Sequence, residues 1–143
     1  MIRPFDSFSL SLAKAADLLG AERKNFTEVE FTGITHRDSD VEPGDIFLAY
    51  PGAKRHGAEF MASAKSRGAV AVLTDKTGAE QSRDLPTLIV EDARVAGATL
   101  ASHFYGAPLR DLVSIGITGT NGITTVTTLL HQLFTAVGRE SGH

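Results

Sequence analysis

Apolar residues in this chain follow two alternating rhythms. Short contiguous runs, Ile46-Phe47-Leu48-Ala49, Ala69-Val70-Ala71-Val72-Leu73 and Thr87-Leu88-Ile89-Val90, predict buried strands over residues 45–50, 69–73 and 87–90. Between them, helical spacing predicts helices. The first covers residues 10–19, with Leu12, Ala15, Ala16 and Leu19 on one face, Ser9 or Ser11 as cap and Gly20 as stop. The second covers residues 58–67 and ends at Gly68. The third is capped by Asp92, runs to Tyr105 and is closed by Gly106 and Pro108. Residues 29–35 read as extended, residues 41–44 as a Pro-Gly turn, and residues 75–86 as a polar loop. Residues 51–57 form a loop carrying Lys54, Arg55 and His56.

A last strand is expected over residues 112–117. It runs into a glycine-rich turn and a helix that starts at Thr124. Strands alternating with helices predict an α/β layered fold. Residues 1–108 read as one complete small domain. Residues 111–143 read as the first strand, loop and helix of a second domain whose remainder is absent from the sequence.

Composition narrows the function classes. The chain has 143 residues, 42% hydrophobic and 22% charged, as expected of a soluble globular protein. A net charge of −3 without a basic run argues against nucleic acid as partner. The absence of cysteine excludes disulfides and thiolate metal sites. No apolar stretch nears the ~20 residues that span a membrane, and the first residues lack a secretory h-region, so a cytoplasmic location is expected. His36 and His56 have no ligand partner at metal-binding spacing and read as surface residues. Asp45, after Pro-Gly at a strand start, reads as structural.

The candidate chemistry lies in Gly119, Thr120, Asn121, Gly122, Ile123, Thr124 and Thr125. A strand, a glycine turn and a helix start are the context of a phosphate loop. Glycines let backbone N–H groups approach phosphate, and a helix N-terminus favours anions. Thr124 would hold Mg²⁺ through its hydroxyl. The pattern Gly-Thr-Asn-Gly-Lys-Thr-Thr is matched at six of seven positions, with Ile123 in the lysine slot. Isoleucine neither donates a hydrogen bond nor neutralises charge. Loss of one comparable transition-state donor costs ~10²–10³ in rate. Turnover is therefore not expected, and ATP and Mg²⁺ should bind poorly. The final helix carries Val126, Leu129, Leu130, Leu133, Phe134 and Val137 on one stripe, which would need cover from the first domain or from a second copy of the chain.

The loop, preceded by Ser114-Ile-Gly-Ile-Thr and followed by Val126, resembles the ATP loop of the Mur ligases, the ATP-dependent amide-bond ligases of peptidoglycan precursor synthesis. Folylpolyglutamate synthetases share such a loop. The choice rests on the first domain. Thr32-Gly-Ile-Thr, Asp38-Ser39, residues 41–49, Gly52, Gly57, Phe60 and residues 68–73 are similar to the UDP-binding domain of the tripeptide-forming members. Thr120 favours those members over the pentapeptide-forming ones.

The resemblance implies UDP-N-acetylmuramoyl-L-alanyl-D-glutamate as substrate, with Ser39 and Arg37 on its uridine–diphosphate part. Ala53, Lys54 and Arg55 are implied for the same nucleotide. Ser39 also reads as a turn hydroxyl, Lys54 and Arg55 as a solvated loop, and Asp38 as a turn or cap carboxylate. The implied reaction activates the D-glutamate carboxyl as an acyl phosphate and adds the third amino acid. By this resemblance the chain is an N-terminal piece of such a ligase, inactive alone. The alternative is a non-catalytic UDP-sugar-binding module with a vestigial phosphate loop. A stand-alone nucleotide-binding protein fits least, because no carboxylate-bearing strand follows the loop.

Overall fold

A computed structural model describes residues 8–142; the first residues, read above for a leader, lie outside it. Contacts divide the chain into two compact units, with the break between Pro108 and Leu109.

The first unit is built on a five-stranded sheet. In chain order its elements are β1 (Leu10–Ser11), α1 (Leu12–Leu19), β2 (Glu22–Lys24), β3 (Glu30–Phe31), β4 (Gly33–Thr35), β5 (Asp45–Ala49), α2 (Met61–Ser66), β6 (Ala71–Thr74), α3 (Lys76–Ala79), β7 (Thr87–Ile89) and α4 (Ala93–Phe104). The sheet order is β2-β7-β6-β5-β4; β4 to β7 are parallel and β2 is antiparallel to β7. β1 and β3 form a separate antiparallel pair.

Alternation along the central strands assigns the two faces. Ile46 and Leu48 of β5, with Ala71 and Leu73 of β6, pack with Leu12, Ala15, Ala16, Leu100 and Phe104 of α1 and α4. Phe47, Ala49 and Val72 point the other way, onto Ala58, Met61 and Ala64. The sheet is thus covered on both sides, which continuously apolar parallel strands require. Phe31 stacks on Phe104 at 5.3 Å between centroids, which ties the β1–β3 pair to α4.

Helix boundaries follow cap chemistry. Ser11 Oγ accepts from the Lys14 N–H, and Gly20 ends α1 in the left-handed region at φ 59°. Residues 10–11, expected to be helical, pair with β3 instead. Asp92 accepts from the Arg94 and Val95 N–H groups at 2.9 and 3.0 Å and starts α4. The expected helix over 58–67 opens with a 3-10 turn, Gly57–Phe60.

Two elements lie outside the sequence expectation. The polar loop over 75–86 contains α3, one turn capped by Asp75. β2 is an all-charged edge strand, a common device against further strand addition. Its polarity hides it from a search for apolar runs.

In the second unit, α5 (Ile123–Ala136) starts one residue earlier than expected. The expected strand over 112–117 does not form. No strand among the described residues pairs with this segment, and Leu112, Val113 and Ile115 are 61%, 88% and 53% exposed. Apolar β-forming residues become a strand only when a neighbour takes their backbone N–H and C=O groups.

Leu100 is fully buried between α4 and the sheet, whereas Val95 on the same helix is 62% exposed. Leu100→Ala should therefore cost about 2–5 kcal/mol, and Val95→Ala no more than about 0.5 kcal/mol. Urea denaturation of the two variants checks both.

Candidate functional site

Because β4 to β7 run parallel, their carboxyl ends share one sheet edge. Ligands of open α/β sheets collect at this edge. Residues 36–40, 50–57, 75–79 and 90–94 leave the strands there.

After β4, the buried Thr35 hydroxyl lies 3.3 Å from both the N–H and the carbonyl of Arg37, which fixes the turn. Asp38 accepts from the Ser63 hydroxyl of α2 at 2.7 Å, so its carboxylate is a structural tie. The exposed Ser39 hydroxyl faces Asp40 Oδ1 at 3.2 Å. Asp45 is buried and accepts from the Glu42 N–H at 2.9 Å, the structural role expected of it.

After β5, residues 50–57 close on themselves. Pro51 and His56 form an antiparallel bridge, Gly52 N–H donates to the Arg55 carbonyl at 2.9 Å, and Gly57 N–H donates to the Tyr50 carbonyl at 3.0 Å. Gly52 is required here, since a Cβ would sit 2.7 Å from the Arg55 carbonyl oxygen. Ala53, Lys54 and Arg55 form the exposed tip. Arg55 lies 3.7 Å from Glu59, a solvated pair of small energetic weight. Lys54 makes no ion pair among the described residues.

His56 departs from the surface role expected for it. Its side chain is only 15% exposed. Nε2 lies 3.2 Å from both oxygens of Asp75, and Nδ1 accepts from the Ala58 N–H at 3.0 Å. An accepting Nδ1 places the ring proton on Nε2, where it donates to the carboxylate. Burial pushes the Asp75 carboxyl up. The Gly78 N–H, the His56 ring and the Thr77 N–H outweigh it and hold the carboxyl below its ordinary value. His36, exposed as expected, stacks on Tyr50 with centroids 5.9 Å apart.

The edge thus brings the Arg37–Ser39 turn and the 53–55 tip to one side of the sheet. It adds Tyr50, His56, Asp75 and Arg94, which sequence reasoning did not select. Asp75 had a visible signal, an aspartate three residues before Gly78 in cap position. Arg94 had none.

The second unit holds the other set, Gly119, Thr120, Asn121, Gly122, Ile123, Thr124 and Thr125. Gly122 is left-handed at φ 77° and leads into α5, whose first intrahelical bond is Val126 N–H to the Gly122 carbonyl at 2.9 Å. The N–H groups of residues 123–125 precede that bond, an anion-accepting arrangement. Ile123 occupies the cation's place, 41% exposed. Arg110 and Arg139 are the only Lys or Arg side chains in residues 109–143, and neither belongs to the loop. The loop therefore offers exposed backbone N–H groups at a helix start with no lysine or arginine among residues 119–125. No group of three His, Asp or Glu residues at metal-binding distance occurs among the described residues, and Thr124 is exposed. The α5 stripe is open at Val126, Leu129, Leu133 and Val137, each 45–65% exposed, while Leu130 and Phe134 are half-buried. No helix of the described residues is long and apolar enough to cross a membrane.

Comparison with known proteins fits this geometry. The profile of the Mur ligase family, catalytic domain, matches residues 30–105. The UDP-N-acetylmuramoyl-L-alanyl-D-glutamate--2,6-diaminopimelate ligase of Streptomyces avermitilis is 47% identical over 130 residues, covering 90% of this chain and 26% of that protein. The UDP-N-acetylmuramyl-tripeptide synthetase of Deinococcus radiodurans is 41% identical over 131 residues, covering 92% and 27%. The chain therefore spans about a quarter of the length of these curated relatives.

Among solved structures, MurF from Acinetobacter baumannii superposes with a TM-score of 0.69 at 20% identity, covering 94% of this chain and 29% of that one. MurF from Thermotoga maritima, solved in complex with ADP, gives 0.53 at 24% identity, covering 72% and 23%. These structures share the α/β architecture, and the family profile covers more than half of the sequence. The chain belongs to the Mur ligase family.

Proposed function

We propose that these residues form the UDP-substrate-binding part of an ATP-dependent ligase that adds the third amino acid to UDP-N-acetylmuramoyl-L-alanyl-D-glutamate. The observation that carries this reading is the 47% identity to a relative named for that ligation. The identity runs over a unit whose loops gather at one sheet edge. Arg37 and Ser39 on one loop, and Ala53, Lys54 and Arg55 on the other, are assigned to the uridine–diphosphate. Lys54 and Arg55 supply cations, Ser39 a hydroxyl and the loop backbone its N–H groups, which together are the donors a diphosphate takes. For the Streptomyces relative the third amino acid is, by its name, 2,6-diaminopimelate.

ATP belongs to the family reaction as the source of the activating phosphate. In the proposed assignment Gly119, Thr120, Asn121, Gly122, Thr124 and Thr125 provide the phosphate cradle, with Thr124 facing Mg²⁺. Ile123 favours a second reading for these residues, a UDP-sugar-binding module without turnover. The exposed α5 stripe adds self-association to the proposal. A monomer by light scattering, with residues 112–137 unprotected from hydrogen exchange, removes that part.

Titration calorimetry tests the two nucleotide assignments. UDP-N-acetylmuramoyl-L-alanyl-D-glutamate should bind saturably, and its failure to bind removes the proposed substrate. Mg-ATP should give no saturable heat at micromolar concentration. Ile123→Lys should tighten Mg-ATP binding at least about tenfold, the scale of one charge-assisted contact; an unchanged titration clears Ile123 as the cause.

A further inference from the structure

The loop over residues 51–57 is held from outside at both of its ends, while its tip is left open. At the start, Arg94 of α4 donates from Nη2 to the Pro51 carbonyl at 2.8 Å. The same guanidinium lies 4.5 Å above the Tyr50 ring. Asp92 fixes this arginine's backbone by capping α4 through the Arg94 N–H. At the end, the His56 ring bonds Asp75, and Asp75 is itself held as the α3 cap by the Gly78 N–H at 2.8 Å. Gly78 closes over the ring: a Cβ there would lie 2.7 Å from His56 Cε1. Both side chains of this pair are largely buried, 15% and 17% exposed, unlike the solvated Arg55–Glu59 pair at the tip.

We propose that Arg94 and the His56–Asp75 pair are positioning residues, two latches that keep residues 51–57 in the shape that receives a nucleoside diphosphate. The ligand's identity rests on the function proposed above; the latching does not. Arg94 comes from the element after β7, and Asp75 from the element after β6. Neither needs to touch the ligand. Each removes conformational freedom from a loop whose N–H groups must converge on phosphate, so the ordering cost is met on folding and not on binding.

The test uses the 143-residue chain, with amide exchange measured without ligand and calorimetry with UDP-N-acetylmuramoyl-L-alanyl-D-glutamate. Arg94→Ala and His56→Ala should each speed exchange at the Gly52 and Gly57 amides about tenfold, the worth of one charge-assisted hydrogen bond. Exchange in β6 should stay unchanged, and affinity for the probe should fall by a similar factor. Arg94→Lys, which keeps a donor and a cation, should restore most of both. Asp75→Asn, which preserves the α3 cap and leaves the His56 ring only an uncharged acceptor, should speed exchange by a smaller factor and replaces His56→Ala if that variant fails to fold.

Unchanged exchange at Gly52 and Gly57 overturns the proposal, and so does a fall in affinity without faster exchange, since that would mark direct ligand contact. Faster exchange in a chain that does not bind the UDP probe sustains the latches and removes the proposed substrate.

Discussion

Backbone pairing among β4, β5, β6 and β7 runs in a single direction, and the placement of every candidate residue in the first unit follows from it. Parallel strands cannot be joined by tight turns, so each connection must cross a face of the sheet. The crossing through α2 covers one face of the sheet, and α1 and α4, which lie before β2 and after β7, cover the other. The same geometry delivers four successive loops to one edge. Residues far apart in sequence, such as Tyr50 and Arg94, meet there because their strands end there.

A sheet edge positions loops only coarsely. The finer order comes from side chains that reach between neighbouring connections: Asp38 to Ser63, Arg94 to Pro51 and His56 to Asp75. Each tie joins elements that the sheet has already brought close, so the bond is made at low entropic cost. The side chains of the tip at residues 53–55 are exempt: among the described residues their one ion pair is the solvated Arg55–Glu59 contact. An anchored base with an open tip is the arrangement expected when a loop must present backbone N–H groups and cations to an anion while remaining accessible.

Much of this architecture was legible in the sequence, and the failures have physical causes. Apolar runs located β5, β6 and β7 because those strands are buried on both faces. Ser11, Gly20 and Asp92 marked helix ends because capping is local chemistry. β2 escaped notice because an edge strand tolerates three charged residues in succession. The segment over 112–117 has strand composition but no strand, since pairing is not a local property. At the candidate site, Ser39, Lys54 and Arg55 were proposed through their loops and the family resemblance. His56 was misjudged as a surface residue because its partner lies nineteen positions away, across two connections.

The phosphate loop separates two properties that usually travel together. The backbone shape at residues 119–125 is set by Gly122 in the left-handed region and by the helix that follows. Neither depends on a lysine at position 123, so isoleucine leaves the recognisable form intact. The electrostatics depend almost wholly on that side chain, because residues 109–143 offer no other Lys or Arg within the loop. A helix N-terminus contributes roughly half a charge, too little to balance a triphosphate. The loop therefore keeps its glycine-turn form while carrying no cation at position 123. In the first unit the candidate cations Lys54 and Arg55 sit at the tip of a loop tied down by contacts that do not involve their side chains.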